Sequence, residues 1–345
     1  MKTSTSIVFY DSKYARGGGQ VVLEDLMPRF LPTEDIHVVM PEIGLKQLRV
    51  PSEVKQHHSL WEFEQSNPHK SVVLVCNANS GMPETLRSAF RLRRTGYTVV
   101  TIAIIHNYPA RVAARLATPL LARMFNHAIV VEPGLKKIAP RAFSPGWLSL
   151  NRPLRFASHN GVIERTNKAK AFGRPDHEKG LDLLPDIFKQ LSNMGIDCSV
   201  ALGTGFSDNT KYEHYLRERL QPWLTDSPKT ADWIAPGDIF IVPSRHEAAC
   251  LTAQEAMSQG ALLIVSDVGL MPHMAQISTG VMTFESGNTS AGTSRAMEAV
   301  TMSPHEFEVR CKENLSVIEK QAGRWHDEVV TFIRKSAVVD NNDEQ

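Results

Sequence analysis

The chain has 345 residues, 42% hydrophobic and 22% charged, with a formal net charge of +1. That length overfills a single core and that composition excludes a disordered chain, so two globular domains are expected. The four cysteines (Cys76, Cys198, Cys250, Cys311) lack CxxC or Cys/His spacing, which excludes a disulfide scaffold and a structural zinc site, and no apolar run reads as a signal peptide or reaches the ~20 residues of a membrane span.

In chain order, apolar and β-branched runs predict strands at Ser6–Tyr10, Ile36–Pro41, Ser71–Asn77, Tyr97–Ile105 and Ala128–Glu132. Helices are predicted over Gln20–Phe30, Pro83–Thr95 and Ala110–Asn126. Ser144–Lys168 is rich in Pro, Asn, Arg and Ser and lacks periodicity, so it reads as a join. The pattern then restarts, with strands near Ala169–Gly173, Cys198–Gly203, Ile239–Pro243, Ala261–Ser266 and Val281–Phe284. Its helices fall over Leu181–Met194, Lys211–Leu224 and Leu251–Ser258. Strand–helix alternation means a parallel sheet covered on both faces, and two runs of it mean two Rossmann-like domains, expected at residues 1–158 and 159–324. Ligands of such sheets bind beyond the carboxyl ends of the strands, so the loops there are where chemistry is expected.

After the first strand, Gly17, Gly18 and Gly19 precede a helix, and three missing side chains let backbone N–H groups approach an anion. The dinucleotide fingerprint GxGxxG is not met, because its third glycine would be Val22. A flexible turn is the plainer reading. His106 follows a strand and faces the ligand side, where it can donate hydrogen bonds to a substrate or take part in proton transfer. A histidine satisfied by a backbone carbonyl is the alternative.

In "FGRPDHEKGLDLL", Gly173 ends a strand, and Arg174 and Lys179 lie five apart ahead of a helix. Two cations and a helix N-terminus suit a diphosphate, although as isolated residues they read as solvated charges. Gly203 and Gly205 mark another strand-end turn. "SRHEAACLTAQEAMSQG" holds Glu247 and Glu255 eight residues apart. On a helix that spacing is ~12 Å of rise, too far for an acid/base couple but suited to gripping two ends of one extended ligand. Two solvated carboxylates are the alternative.

Charge is unevenly distributed. Residues 1–158 carry 20 Lys+Arg against 11 Asp+Glu, and the remainder carries 18 against 26. Between Thr85 and Arg155 there are 12 basic residues and one acid, Glu132. Such a field favours an anionic partner or surface, or else attraction between two opposed lobes. Arg87, Arg91, Arg93 and Arg94 contribute, as do Arg111, Arg115 and Arg123 on a helix that also bears Leu116, Leu120, Leu121 and Met124. A core-facing helix with a solvated arginine face is the plain alternative.

Taken together and in order, six pieces resemble family 4 of the retaining glycosyltransferases, which have the GT-B fold. They are "GGGQVVLEDL", "IIHNYP", "NGV" (Asn160–Val162), "FGRPDHEKGLDLLPDIFKQL", "GDIFIVPSRHEAACLTAQEAMSQGALLIVSDVGLMPHM" and "RWHDEVVTFI". The resemblance spans nearly the whole chain and is strongest from Phe172 to Met274, with the EX7E spacing its most specific mark. It implies two Rossmann-like, doubly wound domains facing a central cleft, the first binding an acceptor and the second a nucleotide-sugar donor. A last helix, about residues 325–336, would pack back onto the first domain. The resemblance implies that Arg174 and Lys179 neutralise the donor diphosphate, that Glu255 takes the ribose hydroxyls and that Glu247 contacts the donor sugar. Gly17 and Gly18 would close over the diphosphate, and His106 would lie by the reacting sugar. Gly19, Gly173, Gly203, Cys250, Leu251 and Thr252 complete the implied donor-binding set.

No DxD motif occurs, so no metal and no other cofactor is expected. Retention would proceed by front-face attack, with the departing phosphate oxygen taking the acceptor's proton. The family commonly has E-x-F-G-L, whereas this chain has Glu247-Ala248-Ala249-Cys250-Leu251, which puts a side chain where backbone approaches the donor sugar. The usual second glycine of "SDVGLMPHM" is Leu270 and the usual glutamate is His273. The expectation is a hexosyltransferase using a UDP-sugar ahead of GDP or ADP sugars. Its acceptor would be a cell-envelope, polysaccharide or glycolipid molecule, anionic or lipid-linked. It would be cytoplasmic, touch the inner face of an anionic membrane through the basic N-terminal domain, and bind no nucleic acid. A catalytically idle nucleotide-sugar-binding subunit and a GT-B sugar-nucleotide epimerase are the alternatives.

Overall fold

Strand composition decides the two sheets. Ser71–Cys76 (SVVLVC) is buried at every position, and Thr98–Ile105 (TVVTIAII) at all but its first. Runs apolar on both faces suit parallel strands covered on both sides. The computed structural model describes residues 5–12, 18–67, 69–107, 112–149, 161–203, 210–226 and 233–339. Gly17, Arg111, Asn160 and Gly205 lie outside the described residues.

The chain forms two units, Met1–Leu148 with Arg324–Gln345, and Ser149–Gly323. The first holds β1 (Thr5–Tyr10), β2 (Asp35–Val39), β3 (Lys55–His57), β4 (Ser71–Cys76), β5 (Thr98–Ile105) and β6 (His127–Val130). They form one sheet in the order β3-β2-β1-β4-β5-β6, all parallel. The second holds β7 (Lys168–Gly173), β8 (Asp197–Leu202), β9 (Leu224–Thr225), β10 (Ile239–Val242), β11 (Leu262–Ser266) and β12 (Val281–Phe284). Their order, β9-β8-β7-β10-β11-β12, repeats that of the first sheet, again all parallel. In each sheet the strand order reverses once, between β1 and β4 and between β7 and β10, and a doubly wound sheet binds its ligand at that reversal.

The edge strands β3 and β9 are absent from the sequence reading. β3 is "KQH", with two of its three residues exposed, and β9 is two residues long, so neither shows an apolar run. Three predicted helices are shortened, each beside a proline that cannot donate to the preceding turn. Gln20–Phe30 is Gly18–Leu26 followed by a 3-10 turn around Pro28. Leu181–Met194 begins as a 3-10 turn and becomes α-helical at Leu184–Asn193, with Pro185 in its first turn. Lys211–Leu224 is Thr210–Leu220, then a turn around Pro222. No described helix is long and apolar enough to cross a membrane.

The helix Arg324–Val339 belongs to the first unit although it ends the chain. Trp325 is fully buried and donates from Nε1 to the Val130 carbonyl, 3.2 Å away. Phe332 stacks on Phe143 with ring centroids 4.4 Å apart, and Arg334 holds Glu34 at 2.7 Å while lying over the Phe30 ring. Removing a buried indole leaves a large cavity and an unmatched carbonyl. Trp325→Ala is therefore expected to destabilise the first unit by about 3–5 kcal/mol, and Trp325→Phe by about 1–2 kcal/mol; urea denaturation followed by tryptophan-independent circular dichroism measures both.

Candidate functional site

In the second unit, the loops after β7 and β10 meet at the reversal of strand order. Gly180 turns left-handed there, at φ +61, and a β-carbon at this position would lie 2.0 Å from the Pro243 carbonyl oxygen. Only glycine permits that approach. It is reinforced by the Glu178 carbonyl, which accepts from the amides of Arg245 at 2.7 Å and His246 at 3.2 Å. Arg245 also makes a two-pronged bond to Asp182, 2.7 Å at each oxygen, and Tyr212 Oη donates to the same carboxylate at 2.7 Å. Burial pushes the Asp182 carboxyl up, but the bonds from Arg245 and Tyr212 outweigh it and bring the pKa from 3.8 to about 2.

The locked loops bring Lys179 and Glu247 together. Lys179 Nζ lies 2.5 Å from Glu247 Oε1, and Ser244 Oγ donates to the same oxygen from 2.9 Å. The Cys250 thiol is close enough to Glu247 for the carboxylate to raise its pKa. Burial opposes the charge on Lys179, but the Glu247 carboxylate prevails and the lysine pKa rises, so the ammonium is retained at neutral pH. Arg174 is about half exposed and pairs with Asp176 at 3.1 Å. It leaves β7 beside Gly203, whose N–H donates to the Gly173 carbonyl across the ends of β7 and β8.

Cys250 is the turning point between Glu247 in the loop and Glu255 on the helix. Its backbone is left-handed, φ +42 and ψ +70, and it caps the helix Leu251–Ser258. The only other described non-glycine residue with positive φ is Asn167. A left-handed cysteine explains why glycine is expected here: the turn demands a conformation that costs an ordinary L-residue about 1–2 kcal/mol. The side chain is buried, and burial and Glu247 together raise the thiol pKa far above its ordinary value, so it stays protonated and unreactive. The first intrahelical bonds run from Ala253 and Gln254 to the Cys250 carbonyl, so the amides of Leu251 and Thr252 precede them. Such amides suit an anion. Glu255 is half-buried one turn further along.

Asp182, Arg245 and Gly269 are missed by the sequence reading. Gly269, at φ +56, lets the loop after β11 approach the Glu247 carbonyl, where a β-carbon would sit at 2.4 Å, and Leu270 N–H donates to the Ala248 carbonyl at 2.8 Å. An opposite-charge pair flanking the two motifs, "GLD" and "SRH", is the signal that could have exposed the Arg245–Asp182 bond.

The first unit has its own polar network at the β1/β4 reversal. Asn77 Nδ2 donates to Asp11 Oδ2 at 2.7 Å and to the Gly19 carbonyl at 3.0 Å, and Gln20 Nε2 donates to Asp11 at 2.7 Å. Both amide protons of Asn77 are thus used, so its oxygen accepts from His106 Nε2 at 2.9 Å. The His106 proton therefore sits on Nε2, and Nδ1 carries a lone pair. Burial lowers its pKa to about 4, so the ring is neutral at pH 7 and can accept a hydrogen bond but not donate a second. The expected alternative of a backbone-satisfied histidine is replaced by a side-chain one. Asp11 and Asn77 are missed too, although each directly follows a strand at the reversal. Gly18 and Gly19 open the helix Gly18–Leu26. Among the described residues, no group of three or more His, Cys, Asp or Glu side chains is gathered to hold a metal.

Residues 168–301 match the family described as glycosyl transferases group 1. Starch synthase 2, chloroplastic/amyloplastic, of Arabidopsis thaliana is 36% identical over 102 residues, 28% of this chain and 13% of that protein. Lipopolysaccharide core biosynthesis mannosyltransferase LpsB of Rhizobium meliloti (strain 1021) is 30% identical over 107 residues, 28% of this chain and 30% of that one. The chain thus matches less than a third of the length of either relative. The solved structure of Anabaena Alr3699/HepE in complex with UDP and glucose superposes with TM-score 0.75 at 13% identity, over 95% of this chain and 99% of that one. Sucrose-phosphate synthase from Thermosynechococcus elongatus superposes with TM-score 0.72 at 12% identity, over 99% of this chain and 100% of that one. The fold is GT-B, with two Rossmann-like units.

Three outcomes follow from the loop chemistry. The Asp182 pKa lies below its unfolded value, so its stabilisation is complete above about pH 4 and is lost as pH falls through about 2. Asp182→Asn is expected to lose about 2 kcal/mol at pH 7, with the gap to the parent narrowing below pH 4 in chemical denaturation. For Cys250→Gly, relief of the left-handed backbone offsets the lost side chain, and stability should change by no more than about 1 kcal/mol. Cys250→Val should lose more than about 2 kcal/mol, because a β-branched residue tolerates that backbone worst.

Proposed function

We propose that this chain is a retaining glycosyltransferase of family 4. It would move a sugar from a nucleoside-diphosphate sugar, UDP foremost, to a cell-envelope, polysaccharide or glycolipid acceptor. The observation that carries the reading is the pairing of Lys179 with Glu247 beside the start of the helix bearing Glu255, with Arg174 near enough to act on the Lys179 charge, within the segment that matches glycosyl transferases group 1. UDP in the solved complex of the structurally similar Alr3699/HepE supports the choice of nucleotide.

The chemistry follows from charge. When the glycosidic C–O bond of the donor breaks, negative charge accumulates on the leaving diphosphate, and fixed positive charge lowers that barrier. Lys179 is held charged by Glu247, yet an ammonium has three donors and the carboxylate uses one, so others remain for phosphate oxygens. Arg174 offers a planar fork to the same anion, and the amides of Leu251 and Thr252 add dipoles without a metal ion. Glu247, steadied by Ser244, keeps a fixed acceptor for a sugar hydroxyl. Glu255 accepts from the ribose diol. The leaving phosphate oxygen takes the acceptor's proton as the new bond forms on the same face, so neither Glu247 nor Cys250 acts as a nucleophile. By the resemblance, neutral His106 would accept a hydrogen bond from a sugar hydroxyl through Nδ1.

Glu255→Ala is expected to weaken UDP binding by about 1–3 kcal/mol in calorimetry, the scale of a charge-assisted hydrogen bond. Unchanged affinity would remove the ribose assignment. Lys179→Ala should cut turnover of a UDP-sugar far more than it shifts the unfolding midpoint. Failure of the parent protein to transfer or hydrolyse any UDP-, GDP- or ADP-sugar, while still binding one, would favour the idle-subunit reading.

A further inference from the structure

Lys179 is held at both ends by the loop after β10. Glu247 takes its ammonium at 2.5 Å, while Arg245, two residues earlier in that loop, fastens the backbone on either side of the lysine. The Arg245 amide donates to the Glu178 carbonyl at 2.7 Å, and its Nη1 donates to the His177 carbonyl at 3.1 Å. The same guanidinium closes on the Asp182 carboxylate, 2.7 Å from each of Nη1 and Nη2. One arginine thus secures residues 177, 178 and 182, and Lys179 lies between them. The next residue is the left-handed Gly180, and a glycine left unsecured gives the chain its widest choice of backbone angles. A lysine stem is also flexible, so its ammonium returns to one place only if its backbone does.

Tyr212 adds a support from outside these two loops. It stands near the start of the helix Thr210–Leu220 and donates from Oη to Asp182 Oδ1 at 2.7 Å. Its ring meets His177 edge-on, with centroids 5.7 Å apart. Oδ1 of Asp182 therefore accepts from both Tyr212 and Arg245, which aims the carboxylate as well as holding it. The side chains of Asp182 and Arg245 are only 19% and 21% exposed, so their fork is more than a surface ion pair. These commitments decide what Arg245 is for. It is a cation at the strand ends beside Lys179, where a phosphate ligand would be sought. Yet three bonds already draw on its five N–H donors, and its fork cannot turn to a phosphate without giving up Asp182.

We infer that Arg245, Asp182 and Tyr212 are positioning residues for Lys179, acting through the backbone that carries the lysine and not on the ligand. The inference rests on the proposed role of Lys179 toward the donor diphosphate. The test is a double-mutant cycle on the full chain, with calorimetric affinity for whichever of UDP, GDP and ADP the parent binds best. Tyr212→Phe deletes one bond and keeps the ring, while Arg245→Lys keeps the charge but cannot form the fork. Each should weaken nucleotide binding about 5-fold, roughly 1 kcal/mol, when Lys179 is present. In the Lys179→Ala background each should weaken it less than about 2-fold, because the route through the lysine is gone. Equal weakening in both backgrounds would overturn the inference, since a direct ligand or a general loosening of the fold acts whether or not Lys179 is there. Unchanged affinity of both single variants would overturn it as well. A parent that binds none of the three nucleotides would overturn the donor reading, and this inference with it.

Discussion

At position 180 the backbone is left-handed and a β-carbon would lie 2.0 Å from the Pro243 carbonyl oxygen, so the loop after β7 rests on the end of β10 only because glycine stands there. The amides of Arg245 and His246 can then reach the Glu178 carbonyl, and the Arg245 side chain can close on Asp182. The same two loops carry Lys179 and Glu247, whose side chains meet at 2.5 Å. The geometry of the candidate site in the second unit thus descends from one close approach at the reversal of strand order, where neighbouring strands leave their ends uncovered.

The two units solve a similar problem with different chemistry. In the second, a charged pair is balanced internally, with Glu247 taking bonds from Lys179 and Ser244. In the first, the balance is made mainly by amides: Asn77 relays from Asp11 to His106, and Gln20 braces Asp11. The relay fixes the imidazole tautomer, and burial keeps the ring neutral. His106 thus presents a lone pair, and Lys179 a positive charge that does not titrate near pH 7.

Much of the fold was legible because buried parallel strands are written as continuous apolar runs, and "SVVLVC" and "TVVTIAII" need no context to be read. The edge strand "KQH" carries no such mark, since its pairing comes from β2 and not from its own side chains. Arg174, Lys179, Glu247 and Glu255 were legible as motif residues because their spacing is local. Asp11, Asn77, Asp182 and Arg245 were not, because each is ordinary in its own segment and acquires meaning only from a partner far along the chain.

The helix Val112–Met124 shows the boundary between the two kinds of information. Its leucines, methionine and arginines could be counted from sequence, but which side faced the sheet could not, because small Thr118 and Ala122 turned out to fill the buried side. Cys250 is similar: composition records a cysteine, while only the fold imposes the left-handed turn that strains it. By itself the sequence determined what local spacing and hydrophobic period encode, namely two parallel sheets and the residue types at their strand ends. The tertiary structure alone decided which of those residues bond one another, which helix face meets water and which protonation state burial enforces. Those properties depend on distances between segments, and no local pattern carries them.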